Sequence, residues 1–418
     1  MSLPAIDLAA CLFDRLAAET ATPPGVTRAS FDAGEQFAHD LVADAARDLG
    51  LTVTDDIAGN RYMTWPSRDR ALPRVFIGSH LDSVPHGGNF DGAAGVIMGL
   101  AAIRALKDGG FEPQRDIVVM AIRAEELVWF PTPYAGSRMA FGLVPAEEYE
   151  GLVRSDTGRT LAEHMRELGF DPDALREGAR PLDPATIEIY IEPHIEQGPL
   201  LVGLGKPVGI VTGIRGNLRY PNCIVRGTYG HAGATPRTYR HDAVFAATDF
   251  ASAVEDVWDD HERNGRDFVA TLGQFSTDAR HHGMTKISGE VRFTMDLRSL
   301  DNDLLLETDR HLRERAAEIS KDRRVEIDLD IYRNAPPAIM DENLIRLLEE
   351  EAKASGIDAV TMPSGAGHDC ATFAWQGIRT AMLFIRNENG SHNPDEAMAM
   401  EDFAEALKLL VRALRRVG

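Results

Sequence analysis

Apolar runs typical of buried β-strands alternate with helical patterns in the first half of the chain. The pattern predicts a strand over residues 74–80, a helix over 92–106, a second strand over 116–122 and a third over 186–197. Strands that alternate with helices along a chain are typical of parallel sheets. We therefore expect an α/β fold with a largely parallel central sheet.

The pattern of polar and apolar residues changes between residues 213 and 329. Strands of alternating polarity, such as GEVRFTMDLRS at 289–299, here flank long amphipathic helices, which is typical of an α+β domain. After this segment the chain returns to buried strands and helices. We therefore predict a discontinuous catalytic domain, residues 1–212 and 330–418, with an inserted domain over 213–329.

Length and charge narrow the class of protein. A chain of 418 residues exceeds the size at which a single core stops growing, so two domains are expected. The formal net charge of −21 opposes binding to nucleic acid and to anionic membranes. The sequence shows no pattern of a secretory signal, and no apolar stretch approaches the roughly 20 residues that span a bilayer. A cytoplasmic location is expected, with neither nucleic acid nor membrane as a partner.

The three cysteines, Cys11, Cys223 and Cys370, are widely separated along the chain. Their spacing fits neither a metal site nor a disulfide framework. We interpret them as reduced thiols with buried, structural roles and not as catalytic groups.

Chemically active side chains follow the first of the predicted strands. His80 and Asp82, in GSHLDSVPHGGNFDGAAG, lie at the carboxyl end of the strand over 74–80, where open α/β sheets place their sites. The imidazole of His80 is a metal-ligand candidate, and Asp82 on the same face can accept its other ring N–H. Asp91 begins a Gly-rich turn, and its two carboxylate oxygens can bridge two ions. The alternatives are a helix N-cap for Asp91 and a buried structural role for His80.

Two adjacent acids, Glu125 and Glu126, follow the strand over 116–122. Adjacent carboxylates repel each other unless a cation or a proton lies between them. Because neighbouring strand side chains point in opposite directions, one glutamate can bind a metal while the other acts as a general base. The alternative is a solvated pair on the surface.

Two further histidines, His194 in IEPHIEQG and His392 in GSHNPDE, lie close to Gly or Pro turns that can direct a side chain into a cleft. Either residue alone could be structural. With the residues above they complete a set of histidines and carboxylates that suits zinc, manganese, cobalt or nickel. A catalytic centre with open coordination positions fits this set better than a closed structural zinc site does.

Several short runs of the sequence resemble one known family. These runs are SHLDSVPHGGNFDGAAGV, AEE, PHIEQGPLL, GHAGATP, DLRS, SGAGHD and SHNPDE, and they occur in family order between about residues 75 and 396. They resemble the amidase/hydantoinase/carbamoylase branch of the dinuclear metallopeptidases. That branch includes N-carbamoyl-L-amino acid hydrolases, β-ureidopropionases and allantoate amidohydrolases. The resemblance implies a homodimer formed through the inserted domain, which also acts as a lid.

The resemblance also implies two divalent metal ions that share one carboxylate. The implied ligands are His80, His194 and Asp91 for one ion, and Asp91, Glu126 and His392 for the other. Glu125 is then the general base, and Asp82 belongs to the same catalytic group. His231, in GHAGATP, is similar to the family histidine that reaches into the site of the partner subunit and stabilises the oxyanion. A core or interface role is the alternative for His231.

Four residues are candidates for substrate binding. Gln197 in IEQG and Arg298 in DLRS match family positions that hold the substrate, and a guanidinium suits a substrate carboxylate. Gly365 in SGAGHD can let the backbone approach the substrate closely. Thr285 stands in the place of a substrate-contacting asparagine, because this chain has TKISGEV where relatives usually have NVIPGEV. The alternatives are a surface amide for Gln197 and a structural ion pair for Arg298.

A second departure from the family pattern follows Glu126. Relatives usually have EEG, a small residue and then Arg-Phe, whereas this chain has Leu127, Val128 and Trp129. The stretch becomes more apolar close to the implied substrate pocket. This motivates the hypothesis of a bulkier or more apolar substrate.

The residue set and the resemblance together predict a metal-dependent amidohydrolase. The expected substrate is an N-carbamoyl amino acid, or a related small-molecule amide or ureido compound, that carries a carboxylate. An N-acyl amino acid deacylase or a metallopeptidase on the same centre is one alternative, and the IEQG and GHAGATP runs favour the carbamoylase branch over it. A catalytically silent ligand-binding protein is the other alternative, and the presence of every implied ligand together with Glu125 argues against it.

Overall fold

Buried apolar strands form the centre of a nine-stranded sheet in this computed structural model, which describes residues 3–418. Four central strands run parallel to one another; in sheet order they are Arg379–Ile385, Ile187–Ile195, Arg74–His80 and Ile117–Ile122. Antiparallel strands flank this centre on both sides. The sheet is therefore mixed, which corrects the prediction of a largely parallel sheet. On one side of the sheet, the antiparallel pairing follows from a hairpin between two consecutive strands. In the tight turn of this hairpin, Asp56 accepts hydrogen bonds from the N–H groups of Ala58 and Asn60.

The helices and strands are numbered in chain order. The helices are α1 (Leu3–Glu19), α2 (Ala33–Asp48), α3 (Ala93–Asp108), α4 (Ala135–Ala140), α5 (Glu148–Gly151), α6 (Leu161–Glu167), α7 (Pro172–Arg176), α8 (Leu200–Leu204), α9 (Ala243–Arg263), α10 (Asn302–Arg323), α11 (Glu342–Ser355), α12 (Cys370–Trp375) and α13 (Met400–Val417). The strands are β1 (Ala21–Thr22), β2 (Gly25–Val26), β3 (Thr52–Asp55), β4 (Arg61–Trp65), β5 (Arg74–His80), β6 (Ile117–Ile122), β7 (Ile187–Ile195), β8 (Val208–Ile214), β9 (Gly216–Arg226), β10 (Gly230–His231), β11 (Val269–Thr271), β12 (Phe275–Thr277), β13 (Lys286–Ile287), β14 (Glu290–Ser299), β15 (Glu326–Asp328), β16 (Arg333–Ala335), β17 (Ala338–Ile339), β18 (Ala359–Ser364) and β19 (Arg379–Ile385). Within residues 3–418, none of these helices combines the length and the apolarity needed to cross a membrane.

The chain divides into two units. The first comprises Met1–Thr212 and Ile339–Gly418, and the second comprises Gly213–Ala338. The chain returns to the first unit later than the predicted residue 330, because β16 still pairs with β9 of the second unit. The roles of the two units in catalysis and dimerisation stay predictions.

One apolar core joins the central sheet of the first unit to helices α1, α2, α3, α11 and α13. Strands β5 and β6 are buried along almost their whole length, which explains why their sequences are continuous apolar runs without alternation. Helix α3 is also buried along most of its length, and Asp91 lies directly before its first turn. The core therefore holds both the strand end that carries His80 and the helix start that carries Asp91.

The second unit has a six-stranded antiparallel sheet that packs with α9 and α10 around a separate core. Burial alternates along β14, so one face of this sheet lies on the core. Strands β10 and β13 form a small two-stranded sheet of their own. This unit is of the α+β type.

All three cysteines are free. Cys223 and Cys370 are buried, whereas Cys11 is exposed, which corrects the prediction for that residue. The reason is helical periodicity, because Cys11 shares the exposed face of α1 with Asp7 and Asp14.

A buried ion pair connects α2 to the segment that follows β6. Glu35 on α2 and Arg123 are both fully buried, and Glu35 Oε2 lies 2.8 Å from Arg123 Nη1. The other oxygen of Glu35 accepts the N–H of Ala124 at 2.9 Å. Ala124 has a left-handed backbone conformation, with φ of 52°, and it directly precedes Glu125. Glu35 therefore holds the backbone turn that directs the two adjacent glutamates.

We predict that Glu35→Ala lowers the free energy of unfolding by about 3–5 kcal/mol, because it leaves the Arg123 guanidinium buried without its partner. Denaturant unfolding followed by circular dichroism measures the change. Asp44→Ala is the control, since Asp44 forms an ion pair with Arg47 on the surface of the same helix. Asp44→Ala should change the free energy of unfolding by no more than about 0.5 kcal/mol. Equal losses in the two variants would contradict the assigned role of Glu35.

Candidate metal centre

The four parallel strands end at one edge of the central sheet, and the predicted ligands lie there. His80 is the last residue of β5, and His194 is the penultimate residue of β7. Glu126 follows β6, and His392 lies in the loop after β19. This edge, formed by the carboxyl ends of parallel strands, is where open α/β sheets bind their ligands.

Two histidines and one oxygen of Asp91 form the first cluster. Asp91 Oδ1 lies 3.2 Å from His194 Nε2 and 3.6 Å from His80 Nε2. The two Nε2 atoms are 3.4 Å apart. Nδ1 of His194 lies 2.9 Å from the Ile195 carbonyl, and Nδ1 of His80 lies 3.1 Å from the Asp82 carbonyl, which assigns the ring N–H of each histidine to Nδ1. Two lone pairs and a carboxylate oxygen therefore face one point, as metal ligands do.

The other oxygen of Asp91 belongs to a second cluster. Asp91 Oδ2 lies 3.3 Å from His392 Nε2, and Glu126 Oε1 lies 3.4 Å from the same nitrogen. In each cluster the potential ligand atoms lie within 4.8 Å of one another. Asp91 thus presents one oxygen to each of two groups of nitrogen and oxygen ligands.

The electrostatics of the site fit a divalent cation. Asp91 Oδ1 and Glu126 Oε1 are buried and accept no hydrogen bond from the residues that the structure describes. Burial and the neighbouring Asp91 raise the pKa of Glu126 to about 8, and contact with Asp91 raises the pKa of His392 to about 9. Buried carboxylates this close together destabilise one another unless positive charge lies between them. A divalent cation bound in each cluster would supply that charge and would satisfy the two unpaired oxygens.

Asp82 arranges several parts of this centre at once. Its Oδ1 lies 3.3 Å from His80 Nδ1 and accepts the N–H of Glu125 at 3.1 Å. Its Oδ2 accepts the N–H of Glu126 at 3.1 Å and the hydroxyl of Ser30 at 2.7 Å. Asp82 therefore fixes the ring of one candidate ligand and the backbone of another. It is a positioning residue.

Glu125 lies beside the first cluster, with Oε2 4.0 Å from His80 Nε2. Burial raises the pKa of Glu125 well above its usual value, and the carboxylates of Glu126 and Asp369 raise it further. The two glutamates are not separated by strand alternation, as the sequence pattern suggested, because β6 ends at Ile122. A left-handed turn at Ala124 instead lies between the end of β6 and the two glutamates.

The predicted substrate residues are distributed over both units. In the first unit, Gln197 donates from Nε2 to Asp91 Oδ2 at 2.9 Å, and Gly365 lies exposed in the loop after β18. Gln197 thus contacts the candidate metal centre directly. It also has a left-handed backbone, with φ of 62°, which turns its side chain at the end of the segment that follows β7.

The candidate catalytic residue His231 and the other two substrate candidates lie in the second unit. His231 is exposed on β10, where its Nδ1 accepts the N–H groups of Gly233 and Ala234. Thr285 is exposed and accepts the N–H of Ala232 through its carbonyl. Arg298 on β14 forms an ion pair with Asp296, with Nη2 2.9 Å from Oδ2. The roles of these residues in catalysis and substrate binding stay predictions.

Three residues around Asp91 are not among the predicted site residues: Arg28 and Glu396 are buried, and Ser391 is partly buried. Ser391 and Glu396 occur in the run GSHNPDE, which was noted only for His392. Arg28 occurs in a short Gly/Pro-rich region and is fully buried. Ser391 and Glu396 could have been found, since they share a motif with a candidate ligand, but no pattern connects Arg28 to the site before the chain folds.

Gly92 provides a test of the first cluster. It has φ of 64°, and a Cβ atom there would lie 2.4 Å from His80 Cε1. We predict that Gly92→Ala displaces the His80 ring and weakens binding of Zn²⁺ or Mn²⁺ to metal-stripped protein by about 10-fold or more, as measured by titration calorimetry. Gly110→Ala is the matched control, because Gly110 has φ of 65° with nothing within 4 Å of the added Cβ. Similar affinities for the two variants would refute this arrangement.

Comparisons with known proteins agree with this geometry. Residues 76–416 match the peptidase family M20/M25/M40. The chain is 36% identical over 387 residues to an N-carbamoyl-L-amino acid amidohydrolase of Geobacillus stearothermophilus, covering 92% of each protein. It is 33% identical over 372 residues to an allantoate amidohydrolase of Escherichia coli (strain K12), covering 88% of this chain and 87% of that protein.

The fold is also found among solved structures. An amidase of the hydantoinase/carbamoylase family from Burkholderia multivorans is 31% identical, with a TM-score of 0.90, and the match covers 98% of this chain and 97% of that one. The resemblance recognised in the sequence motifs is confirmed. The chain belongs to the peptidase family M20/M25/M40, in which its similar relatives are amidohydrolases.

Proposed function

We propose that this protein is a hydrolase of C–N bonds in N-carbamoyl amino acids or related ureido compounds, with two divalent metal ions at its centre. The observation that carries the proposal is the Asp91 carboxylate, which presents one oxygen to each of two clusters. Glu125 lies beside those clusters with a buried carboxyl group. The names of the relatives support the substrate class, since N-carbamoyl amino acids and allantoate both contain ureido groups.

Histidine and carboxylate ligands without cysteine suit zinc, manganese, cobalt or nickel. In this arrangement His80 and His194 would hold one ion, Glu126 and His392 the other, and Asp91 both. Ions bound there supply positive charge that lowers the pKa of water and polarises the substrate carbonyl. Side chains of this protein carry out the proton transfers.

Glu125 is the proposed general base. Its carboxylate accepts a proton from the attacking water and then returns a proton to the leaving nitrogen, so that the C–N bond breaks without a charged amide leaving group. Asp82 holds the backbone N–H of Glu125 and keeps the base in place. For an N-carbamoyl substrate the products are an amine, carbon dioxide and ammonia.

The remaining proposed roles belong to residues of the second unit, with His231 acting at the site of the partner subunit. His231 is proposed to stabilise the developing oxyanion, and Arg298 to bind the substrate carboxylate. Thr285 offers a hydroxyl where relatives usually have an amide. A homodimer formed through the second unit and a cytoplasmic location remain predictions of the sequence.

The main prediction is metal-dependent release of ammonia and amine from N-carbamoyl amino acids. Metal-stripped protein is assayed against N-carbamoyl, N-acyl and ureido compounds, with and without Mn²⁺, Zn²⁺ or Co²⁺. Glu125→Gln should lower kcat by about 10²–10⁴-fold, because it removes the proton acceptor. Glu147→Gln, a matched change at an exposed glutamate, should leave kcat unchanged.

Other outcomes of this assay separate the alternatives. Amine release without ammonia would reassign the protein as an N-acyl amino acid deacylase or a peptidase. Absence of turnover with every compound and metal would support a ligand-binding protein. Full activity of Glu125→Gln would remove that residue from the mechanism.

The departure after Glu126 bears on the size of the substrate. Leu127 and Val128 are 52% and 40% exposed, whereas Trp129 is buried and donates its indole N–H to the Ser83 carbonyl at 2.8 Å. Trp129 therefore has a structural role in the fold. Leu127 and Val128 place apolar surface directly after a proposed metal ligand, which supports a substrate with a bulky apolar group.

We predict that the double variant Leu127→Gly with Val128→Ser lowers kcat/KM for N-carbamoyl amino acids with large apolar side chains by about 10-fold or more, because apolar contact is lost. The kcat/KM of the double variant for N-carbamoylglycine should change little. Leu72→Gly is the control, since Leu72 is similarly exposed but lies before β5, at the opposite end of the strand from His80. A uniform change across substrates would count against a role in specificity.

A further inference from the structure

Glu396 is a buried carboxyl group that none of the proposed catalytic steps uses. Its side chain is 7% exposed, and Oε1 accepts the backbone N–H of Phe90 at 2.8 Å and of Asp91 at 3.2 Å. A Cβ atom on Gly88 would lie 2.2 Å from Glu396 Cδ, so a glycine at this position allows the close approach. Glu396 therefore holds the backbone segment that leads into Asp91.

Ser391 connects Glu396 to the side chain of Asp91. Its Oγ lies 2.6 Å from Glu396 Oε2 and 2.5 Å from Asp91 Oδ2. A hydroxyl has one proton to donate and can also accept, so it can join two carboxyl groups. Ser391 directly precedes His392, which has a left-handed backbone with φ of 61°. One short segment thus carries both a candidate ligand and a contact to the shared carboxylate.

The two residues contact only one side of Asp91. Oδ2 accepts hydrogen bonds from Ser391 Oγ and from Gln197 Nε2, while Oδ1 accepts no hydrogen bond from residues 3–418 and faces His80 and His194. Rotation of an aspartate carboxylate about its last torsion is broad and two-fold, so the side chain alone does not select one orientation. A carboxylate shared between two ions needs each oxygen to point to its own ion.

A buried positive charge accompanies this arrangement. Arg28 is fully buried, and its Nε donates to the Leu81 carbonyl at 2.7 Å, one residue after His80. Its Nη1 lies 3.4 Å from Asn89 Oδ1, two residues before Asp91. Arg28 thus holds both ends of the loop from His80 to Asp91. Its charge also offsets that of the buried carboxylates around it.

We propose that Ser391 and Glu396 act as a clamp that sets the orientation of the Asp91 carboxylate, so that both metal ions bind tightly. The proposal rests on the two-metal centre of the proposed function. Ser391 and Glu396 act through Asp91, Ser391 on its carboxylate and Glu396 on its backbone N–H, so both members are positioning residues. Because Asp91 is a proposed ligand of both ions, loss of the clamp should weaken the binding of both.

The test measures metal affinity without substrate. Metal-stripped wild-type and variant proteins compete with a chromogenic chelator for Mn²⁺ and, separately, for Zn²⁺. Ser391→Ala and Glu396→Ala should each weaken binding of both ions by about 10–100-fold, the usual effect of removing a residue that orients a ligand. Asp395→Ala is the matched control, because Asp395 is the exposed neighbour of Glu396, and its affinity should equal that of the wild type.

Two further measurements separate the clamp from other roles. Glu396→Gln keeps an oxygen for the two backbone N–H groups and offers an amide donor to Ser391, so its metal affinity should stay within a few-fold of the wild type. If Glu396→Gln loses as much metal affinity as Glu396→Ala, the charge of Glu396 and not its orienting contacts determines the affinity, and the clamp is overturned. The thermal unfolding temperature of metal-stripped Ser391→Ala should match the wild type, whereas a merely structural role would lower it.

The remaining outcomes also decide the matter. Affinities of Ser391→Ala equal to those of Asp395→Ala would overturn the clamp. Wild-type protein that binds both ions but hydrolyses no compound would refute the proposed function. The metal affinities of the variants would still test the clamp. Wild-type protein that binds neither ion would refute both proposals.

Discussion

The contact of one carboxylate with two groups of ligand atoms is the interaction on which this protein depends. Asp91 is buried, and its oxygens face separate clusters that contain histidine and glutamate side chains. Burial of several carboxylates close together costs free energy unless cations or hydrogen-bond donors compensate their charge. The surrounding fold must therefore supply both the cation sites and the hydrogen bonds that keep Asp91 in place.

The first unit meets this requirement through its buried sheet. Four parallel strands end at one edge, and their loops bring together residues that are far apart in sequence. Asp82 orients His80 and the backbone of both glutamates, while Glu35 holds the left-handed turn at Ala124. The site is thus supported by buried polar groups whose partners are themselves fixed by the core. Such support limits the movement of the ligand atoms.

Comparison of the sequence predictions with the structure shows where local patterns fail. Strand alternation was a poor guide to Glu125 and Glu126, because β6 ends at Ile122 and a left-handed turn at Ala124 follows it before both residues. Gln197 was predicted to contact the substrate, with a surface amide as the alternative, and the structure adds a contact from its amide to Asp91. The parallel part of the sheet was overestimated, because β3 and β4 form a hairpin and β4 and β8 pair antiparallel with the outer strands of the parallel centre. Each error concerns a contact or a turn that leaves no periodic trace in the sequence.

The sequence by itself determined the central strands β5, β6 and β7 with helix α3, the family, and the residue types of the candidate centre. It could do so because apolar periodicity and short motifs are local properties of a chain. Only the tertiary structure decided that Asp91 divides its oxygens between two clusters, and that Ser391, Glu396 and Arg28 surround it. The physical reason is that Arg28 and Glu396 are far apart in sequence, and only the packing of sheet, helix and loops brings their side chains to one loop.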